Sequence, residues 1–294
     1  MIEKFKRTFN TIMFNKASRY KILMLSKHAV VNPLQVFSKD PKKFSDAMNS
    51  FKLHGVFKST KADRHHETQK FLKEYVDTVQ KPVVILDIGA SDGTTSLQLI
   101  NLIEDKIEKF YVTDCNIKCN YIKENGFTYF FNAQSDNCFL IASNTFVFYP
   151  ENKRLFNFFF NKSLTNFQNK SKTELLLCNH ELKLKANNDG RIEILDYDIF
   201  KPWQRKKPDV IIVGNLLHPT YFSNEDIYKA LNNCYITLND NGILAIIRNS
   251  SSSKNSEIER AVIYRKNTIL KCFQQIFEIN RGVEINEFVL SSKF

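Results

Sequence analysis

The sequence predicts an α/β fold with a mostly parallel central sheet, and three observations lead to this prediction. The apolar, β-branched run Val83–Leu86 is typical of a strand buried on both faces. A turn with two glycines follows this strand, and a helix with apolar residues at three-residue spacing follows the turn. Further apolar runs then alternate with helical segments, which is the order found in parallel sheets.

The strand, turn and helix form the first half of a βαβ nucleotide site. Asp87 closes the strand, and Gly89 and Gly93 bound the turn that follows, here called the glycine turn. Glycines let the backbone approach a ligand closely, and a helix N-terminus offers N–H groups without partners inside the helix. The G-x-G-x-x-G pattern of dinucleotide sites is absent, and no lysine marks a P-loop.

The pattern Asp87-x-Gly89-x-x-x-Gly93 resembles the first motif of class I S-adenosylmethionine-dependent methyltransferases. That family usually has a third glycine where this chain has Ser91. The resemblance implies that S-adenosyl-L-methionine is the cofactor, and that these residues and Ala90 bind it.

The second strand is predicted over residues 109–114 and again ends in an acid. Asp114 lies 21 residues after Gly93. Nucleotide-binding sheets place a carboxylate about 20 residues beyond the turn, where it binds the ribose hydroxyls. We therefore expect Asp114 to bind the ribose, and the alternative is a carboxylate that caps a helix.

Residues 115–190 interrupt this alternation and are predicted to form an insertion. Short strands are expected at Phe127–Phe131, Cys138–Ala142 and Thr145–Tyr149, around polar turns. An aromatic-rich helix is expected near residues 155–167. This helix would line an apolar pocket, dip into a membrane interface, or form core beneath the insertion.

The core resumes at residues 191–200 with a strand that ends in two acids separated by one residue. The run Asp198-Ile199-Phe200 resembles the family motif that holds the adenine, which implies that Asp198 and Ile199 contact the cofactor. A fully apolar strand over residues 208–215 follows and ends in a polar amide, Asn215.

The rest of the chain is predicted as a helix at 225–235, a strand at 243–249, a helix at 256–274, and two closing strands at 275–280 and 284–290. This order is that of class I methyltransferases. It predicts a Rossmann-like, seven-stranded, mostly parallel sheet with a C-terminal antiparallel hairpin, an inserted β-hairpin and helix segment, and a basic helical N-terminal extension.

The loop Gly214–Phe222 looks like that of chemotaxis-receptor methyltransferase relatives, where Arg-Asn-apolar-apolar precedes an aromatic residue. Gly214 stands in the arginine's place, which disfavours a protein carboxyl acceptor. We predict that Asn215 contacts the cofactor and orients the acceptor beside it. His218 is predicted as a general base, because histidines titrate near physiological pH. Tyr221 is expected to orient the acceptor, or to deprotonate it less readily. The alternative for His218 is a loop histidine bonded to the backbone.

The chain length allows one large α/β domain and a modest appendage. The predicted boundaries are 1–75 for the extension and 76–294 for the methyltransferase domain. Six cysteines without a Cys-x-x-Cys pair predict reduced thiols, no metal site and a cytoplasmic location. No apolar run reaches transmembrane length.

The formal net charge of +11 is that expected of a protein that binds nucleic acid or an anionic membrane surface. Residues 1–28 carry seven of the basic side chains against one glutamate, and residues 2–13 have the spacing of an amphipathic helix. Peripheral attachment to a membrane is one interpretation of this segment, and packing on the main domain is the other. A lysine-rich, solvated surface would also explain the charge.

The leading interpretation is a methyltransferase with a small-molecule or lipid-like acceptor. The aromatic insertion favours it, and the Asn/Asp-Pro-Pro-aromatic loop of DNA amino-methyltransferases is absent. One alternative is an RNA or DNA methyltransferase attracted to phosphates by the positive charge. The other is a non-catalytic module that binds the cofactor or a membrane.

Overall fold

The computed structural model describes most of the chain. The described ranges are 31–53, 56–58, 61–144, 147–150, 167, 170–251 and 257–294. The predicted basic segment 1–28 lies outside these ranges, and so does the predicted aromatic helix except for Phe167. No helix in the described ranges is long and apolar enough to cross a membrane.

The helices and strands are numbered here in chain order within the described ranges. The helices are α1 (Pro41–Met48), α2 (His66–Thr78), α3 (Thr94–Leu102), α4 (His180–Asn188), α5 (Asn224–Thr237) and α6 (Asn286–Ser291). The strands are β1 (Lys52–Leu53), β2 (Val56–Phe57), β3 (Val83–Ile88), β4 (Ile107–Asp114), β5 (Lys118–Glu124), β6 (Phe127–Asn132), β7 (Cys138–Ala142), β8 (Val147–Phe148), β9 (Thr173–Leu176), β10 (Ile192–Asp196), β11 (Val210–Gly214), β12 (Ile243–Ser251), β13 (Glu257–Asn267) and β14 (Cys272–Ile279).

These elements form two compact units. The first contains the described residues before Lys61 together with Asn116–His180. The second contains Lys61–Cys115 and Glu181–Phe294. Helix α2 belongs to the second unit, although the sequence assigns most of it to the N-terminal extension.

The second unit contains a seven-stranded sheet with the order β10–β4–β3–β11–β12–β13–β14. The first five strands in this order run parallel, whereas β13 is antiparallel to β12 and β14 is antiparallel to β13. All six residues of β3 are buried, as expected for an apolar strand with neighbours on both sides. The predicted parallel sheet with a C-terminal antiparallel hairpin is confirmed.

The hairpin is built from other segments than the sequence predicts. The predicted helix at 256–274 is wrong, because Glu257–Asn267 is strand β13 and pairs along β12. The predicted strand at 284–290 is also wrong, because Asn286–Ser291 is helix α6. Apolar residues at Ile258, Ala261 and Val262 fit helical spacing as well as a strand. Long-range pairing with β12 decides between the two, and this pairing cannot be read from local spacing.

The first unit contains a five-stranded antiparallel sheet with the order β8–β7–β6–β5–β9. The predicted strands of the insertion are present as β6, β7 and the shorter β8, and β5 and β9 extend the sheet beyond the prediction. Phe44, Met48 and Phe51 pack with the buried Phe130 of β6. Phe167 is also buried, in a separate cluster with residues of β6 and β7.

Gly93 lies where β4 and α4 approach the glycine turn. Its φ of 74° is left-handed, which favours glycine. A Cβ at this position would overlap Leu182 of α4 and would lie 3.3 Å from Cγ1 of Val112 in β4. A side chain at residue 93 would therefore force Leu182 and Val112 to shift, and both of these residues are fully buried.

We expect Gly93→Ala to destabilise the second unit by about 3 kcal/mol, because left-handed strain of about 1–2 kcal/mol adds to overpacking of about 1–3 kcal/mol. Urea unfolding followed by the fluorescence of Trp203, the one tryptophan of the chain, measures this change. Gly190→Ala is the control, since nothing lies within 4 Å of a Cβ there. Equal unfolding midpoints for the two variants would contradict the packing described.

Candidate active site

The candidate site lies at the carboxyl ends of β3, β4 and β11. Strand β3 pairs with β4 on one side and with β11 on the other, so the strand order reverses here. Ligands of open parallel sheets bind in the crevice beyond such strand ends. The loop after β11 reaches the glycine turn, because a Cβ on Gly89 would lie 3.3 Å from Cδ2 of Leu216.

The glycine turn contains three left-handed residues. Gly89, Ser91 and Gly93 have φ values of 77°, 60° and 74°. Glycine adopts this backbone conformation without strain, whereas for Ser91 it has a steric cost of about 1–2 kcal/mol. The N–H groups of Gly89 and Ala90 both donate to the carbonyl of Thr113, at 2.9 Å each. The turn is therefore held against the end of β4.

Asp114 ends β4 and is buried. Its Oδ2 accepts a hydrogen bond from the Ser91 N–H at 3.0 Å. This charge-assisted bond places the predicted ribose-binding carboxylate directly beside the glycine turn.

Asp87 is a buried carboxyl group at the end of β3, next to the same turn. Its Oδ2 accepts a hydrogen bond from Ser96 Oγ of α3 at 2.6 Å. Burial raises the pKa of Asp87 to about 6; the Ser96 hydrogen bond lowers this pKa, and the Asp114 charge raises it. Two carboxylates on neighbouring strands make this region favourable for a positively charged ligand.

Asp92 is a further acid at the turn that the sequence interpretation did not single out. It is fully buried, and its Oδ1 accepts the Thr94 N–H at the start of α3 at 3.0 Å. In many nucleotide sites a phosphate occupies a helix N-terminus, which attracts negative charge. Here the chain supplies a carboxylate at that place. An acid just before a helix start was the signal in the sequence.

Asp198 and Ile199 lie just beyond β10. Asp198 Oδ1 accepts the Phe200 N–H at 3.0 Å and so closes a tight turn. The Ile199 side chain is buried in the core of the second unit, and its carbonyl accepts a hydrogen bond from Asn233 of α5 at 2.9 Å. The structure therefore directs the Ile199 side chain into the core, while Asp198 remains partly exposed.

Asn215 directly follows β11 and is left-handed, with a φ of 53°. Its Nδ2 donates to Asn249 Oδ1 at 2.9 Å, and its Oδ1 accepts the Asn249 N–H at 2.7 Å. His65 Nε2 lies 3.0 Å from the same Asn249 oxygen. The sequence interpretation missed His65 and Asn249, because they lie 150 and 34 positions from Asn215 and no local spacing connects residues so far apart.

His218 and Tyr221 lie in the loop that leads to α5. His218 Nδ1 accepts the Thr220 N–H at 3.0 Å, so a neutral His218 carries its proton on Nε2. The two rings have centroids 5.6 Å apart, and Tyr221 is 56% exposed. To act as a base at Nε2, His218 would need its proton on Nδ1, so the hydrogen bond from the Thr220 N–H would first have to break.

Three solved structures that resemble this chain are methyltransferases. The citrinin polyketide synthase CMeT domain has a TM-score of 0.40 and 13% identity, over 81% of this chain and 47% of that domain structure. The N-methyltransferase NodS from Bradyrhizobium japonicum WM9, in complex with S-adenosyl-L-homocysteine, has a TM-score of 0.35 and 11% identity over 65% of each chain. An O-methyltransferase family protein from Burkholderia thailandensis has a TM-score of 0.33 and 12% identity, over 82% of this chain and 51% of its own.

The chain thus spans about half the length of the first and third of these structures. No family model and no curated protein matches the chain. Because the TM-scores lie below 0.5, the function proposed below depends on the geometry of the site itself. Across the described ranges, no group of three or more His, Cys, Asp or Glu side chains is arranged to hold a metal ion.

Asp87→Asn is expected to stabilise the cofactor-free protein by up to about 3 kcal/mol above pH 6. The folded-state pKa of about 6 exceeds the ordinary value of 3.8, so the ionised carboxylate opposes folding above both values. This penalty is absent below pH 3.8, where the carboxyl is protonated in both states. Urea unfolding of both proteins across this pH range measures the difference. A difference that does not grow with rising pH would contradict the assigned environment.

Proposed function

We propose that this chain is an S-adenosylmethionine-dependent methyltransferase. The observation that carries the proposal is the hydrogen bond between the Ser91 N–H and Asp114 Oδ2 at the point where the strand order reverses. It combines a left-handed turn that a ligand can approach closely with a carboxylate suited to ribose hydroxyls. The methyltransferase motif that the sequence resembles contains these two features in the same order.

The charges around the turn support this cofactor over a phosphate-bearing nucleotide. Asp87 and Asp114 lie on neighbouring strands, and Asp92 already caps the helix N-terminus where a phosphate would bind. S-adenosylmethionine carries a sulfonium and an ammonium group, which these carboxylates attract. A pyrophosphate would instead face like charges.

The residues have distinct proposed roles. The backbone of the glycine turn, including Ala90, would contact the cofactor, and Asp114 would accept both ribose hydroxyls. Asp87 would favour the positively charged part of the cofactor. We propose that Asp198 contacts the adenine through its side chain. The buried side chain of Ile199 leaves only its backbone for such a contact.

The cofactor supplies a methyl group that its sulfonium already activates. The chain must therefore mainly align the acceptor and exclude water. His218, with Nδ1 bonded to Thr220, presents an Nε2–H donor that can orient an acceptor atom. Tyr221 offers a second polar group from the same loop. A general-base role for His218 stays a prediction that requires the Thr220 hydrogen bond to open.

We propose a small-molecule or lipid-like acceptor. The aromatic residues that the sequence places in the insertion favour this class. A nucleic-acid acceptor is the alternative that the net charge favours. A non-catalytic cofactor-binding module is the third. Attachment of residues 1–28 to a membrane stays a prediction.

Asp114→Ala should weaken binding of S-adenosylhomocysteine at least about tenfold, because charge-assisted hydrogen bonds contribute about 1.5–3 kcal/mol each and about 1.4 kcal/mol is tenfold. Titration calorimetry measures the dissociation constants. The matched control is Asp196→Ala, since Asp196 occupies the same register on the neighbouring strand β10 and is exposed. Wild-type protein that does not bind S-adenosylhomocysteine would refute the proposed function.

The acceptor class can be tested with methyl-labelled S-adenosylmethionine and a cell extract separated into small-molecule, lipid, nucleic-acid and protein fractions. We expect label in the small-molecule or lipid fraction, and transfer that changes little between about 0.05 and 0.2 M salt. Label in nucleic acid, with binding that falls steeply over that salt range, would establish the alternative. Cofactor binding without label in any fraction would favour the non-catalytic module.

A further inference from the structure

His65, Asn215 and Asn249 form a polar cluster at the carboxyl ends of β11 and β12. Asn249 Nδ2 donates to the Arg64 carbonyl at 2.7 Å, which orients the amide so that its oxygen faces the other two side chains. Asn215 Oδ1 accepts the Asn249 N–H at 2.7 Å, which orients the second amide in the same way. Two backbone groups thus determine which way each amide faces, and the His65 imidazole then contacts both amides through Nε2.

These amides also determine the tautomer of His65. Asn249 Oδ1 is an acceptor 3.0 Å from His65 Nε2, closer than the Asn215 Nδ2 donor at 3.3 Å, so we assign the proton to Nε2. Burial lowers the pKa of His65 to about 3; the Arg64 charge lowers this pKa further, and the Asn249 hydrogen bond raises it. His65 is therefore a neutral donor in this cluster.

The imidazole of His65 packs directly on the backbone of Gly214. A Cβ at residue 214 would lie 2.9 Å from His65 Cε1, which is too close for an unmoved ring. The missing side chain at the end of β11 thus provides the space that His65 occupies.

Separate contacts fix the chain around His65. The buried Glu259 of β13 accepts the N–H groups of Glu67 and Thr68 at 2.9 Å each, at the start of α2. Gln69 Nε2 donates to the carbonyl of Thr95 in α3 at 3.0 Å. The start of α2 is therefore fastened to both the C-terminal hairpin and the helix that follows the glycine turn.

The cluster supports the backbone conformation of Asn215 and so positions the next residue, Leu216. A left-handed conformation costs asparagine less than most residues, but it still needs support. The two Asn249 hydrogen bonds provide that support and direct the chain so that Leu216 covers Gly89. Leu216 thereby connects the cluster to the glycine turn.

We infer that His65 and Asn249 are positioning residues: they hold Asn215 in its left-handed conformation and so keep Leu216 on the glycine turn. This inference rests on the proposed function, in which the glycine turn binds the cofactor. The Asn215 amide then makes its hydrogen bonds to Asn249, and Asn215 contributes to the site by fixing the position of the loop after β11.

His65→Ala should weaken S-adenosylhomocysteine binding about tenfold, a loss that corresponds to about 1.4 kcal/mol. His65→Gln should restore most of the affinity, because its side-chain amide can also donate to Asn249. His66→Ala is the matched control, since His66 is the exposed neighbour and should bind as the wild type does. Calorimetry on the full chain gives all four dissociation constants. Equal affinity of the His65→Ala and wild-type proteins would overturn the inference.

A double-mutant cycle tests the contact itself. Gly214→Ala should weaken binding in the wild-type background, because the added Cβ displaces the imidazole. In the His65→Ala background the same substitution should have almost no effect, because the ring is gone. Additive losses would overturn the inference, since Gly214 would then matter for a reason unrelated to His65.

Amide hydrogen exchange of Asn249 separates failure of this inference from failure of the proposed function, because it needs no ligand. His65→Ala should speed exchange of the N–H that donates to Asn215, and His65→Gln should do so less. Faster exchange would support the cluster even if the wild-type protein bound no S-adenosylhomocysteine, a result that would refute only the cofactor assignment. Unchanged exchange would overturn the positioning role.

Discussion

The hydrogen bond from the Ser91 N–H to Asp114 Oδ2 ties the turn after β3 to the end of β4, and the geometry of the candidate site depends on it. The backbone is left-handed at Ser91, between two glycines that are also left-handed. That conformation lets α3 start directly after the turn, and it brings Val112 and Leu182 against Gly93. The position of the Asp114 carboxylate and the path of the chain from β3 to α3 therefore depend on each other.

In the proposed function the acids around this turn attract a cationic cofactor, and the burial of Asp87 reduces the stability of the cofactor-free protein. Asp87 and Asp92 are buried, and the ionised form of Asp87 is destabilised enough to raise its pKa to about 6. Buried carboxylates with perturbed pKa values are concentrated in functional sites. A cationic ligand would relieve this destabilisation, and so the bound protein is expected to be the more stable form. The same charges disfavour phosphates.

Short sequence patterns predict the helices, strands and turns that are determined by neighbouring residues along the chain. The apolar run of β3, the spacing of α3 and the acid at the end of β4 are visible within short windows, and each lies close to its predicted place. Strand β13 was missed because its apolar spacing also fits a helix, and only pairing with β12 distinguishes the two. His65 was missed for a similar reason, because its partners Asn215 and Asn249 come from distant strands.

The central claim is that the glycine turn and Asp114 bind an adenosyl cofactor, and a crystal structure of the protein with S-adenosylhomocysteine tests it most directly. Both ribose hydroxyls should lie within hydrogen-bonding distance of Asp114, at about 2.5–3.0 Å. The ligand should lie over the glycine turn, with Leu216 still against Gly89. A ligand bound elsewhere, with Asp114 contacting only the protein, would contradict the account.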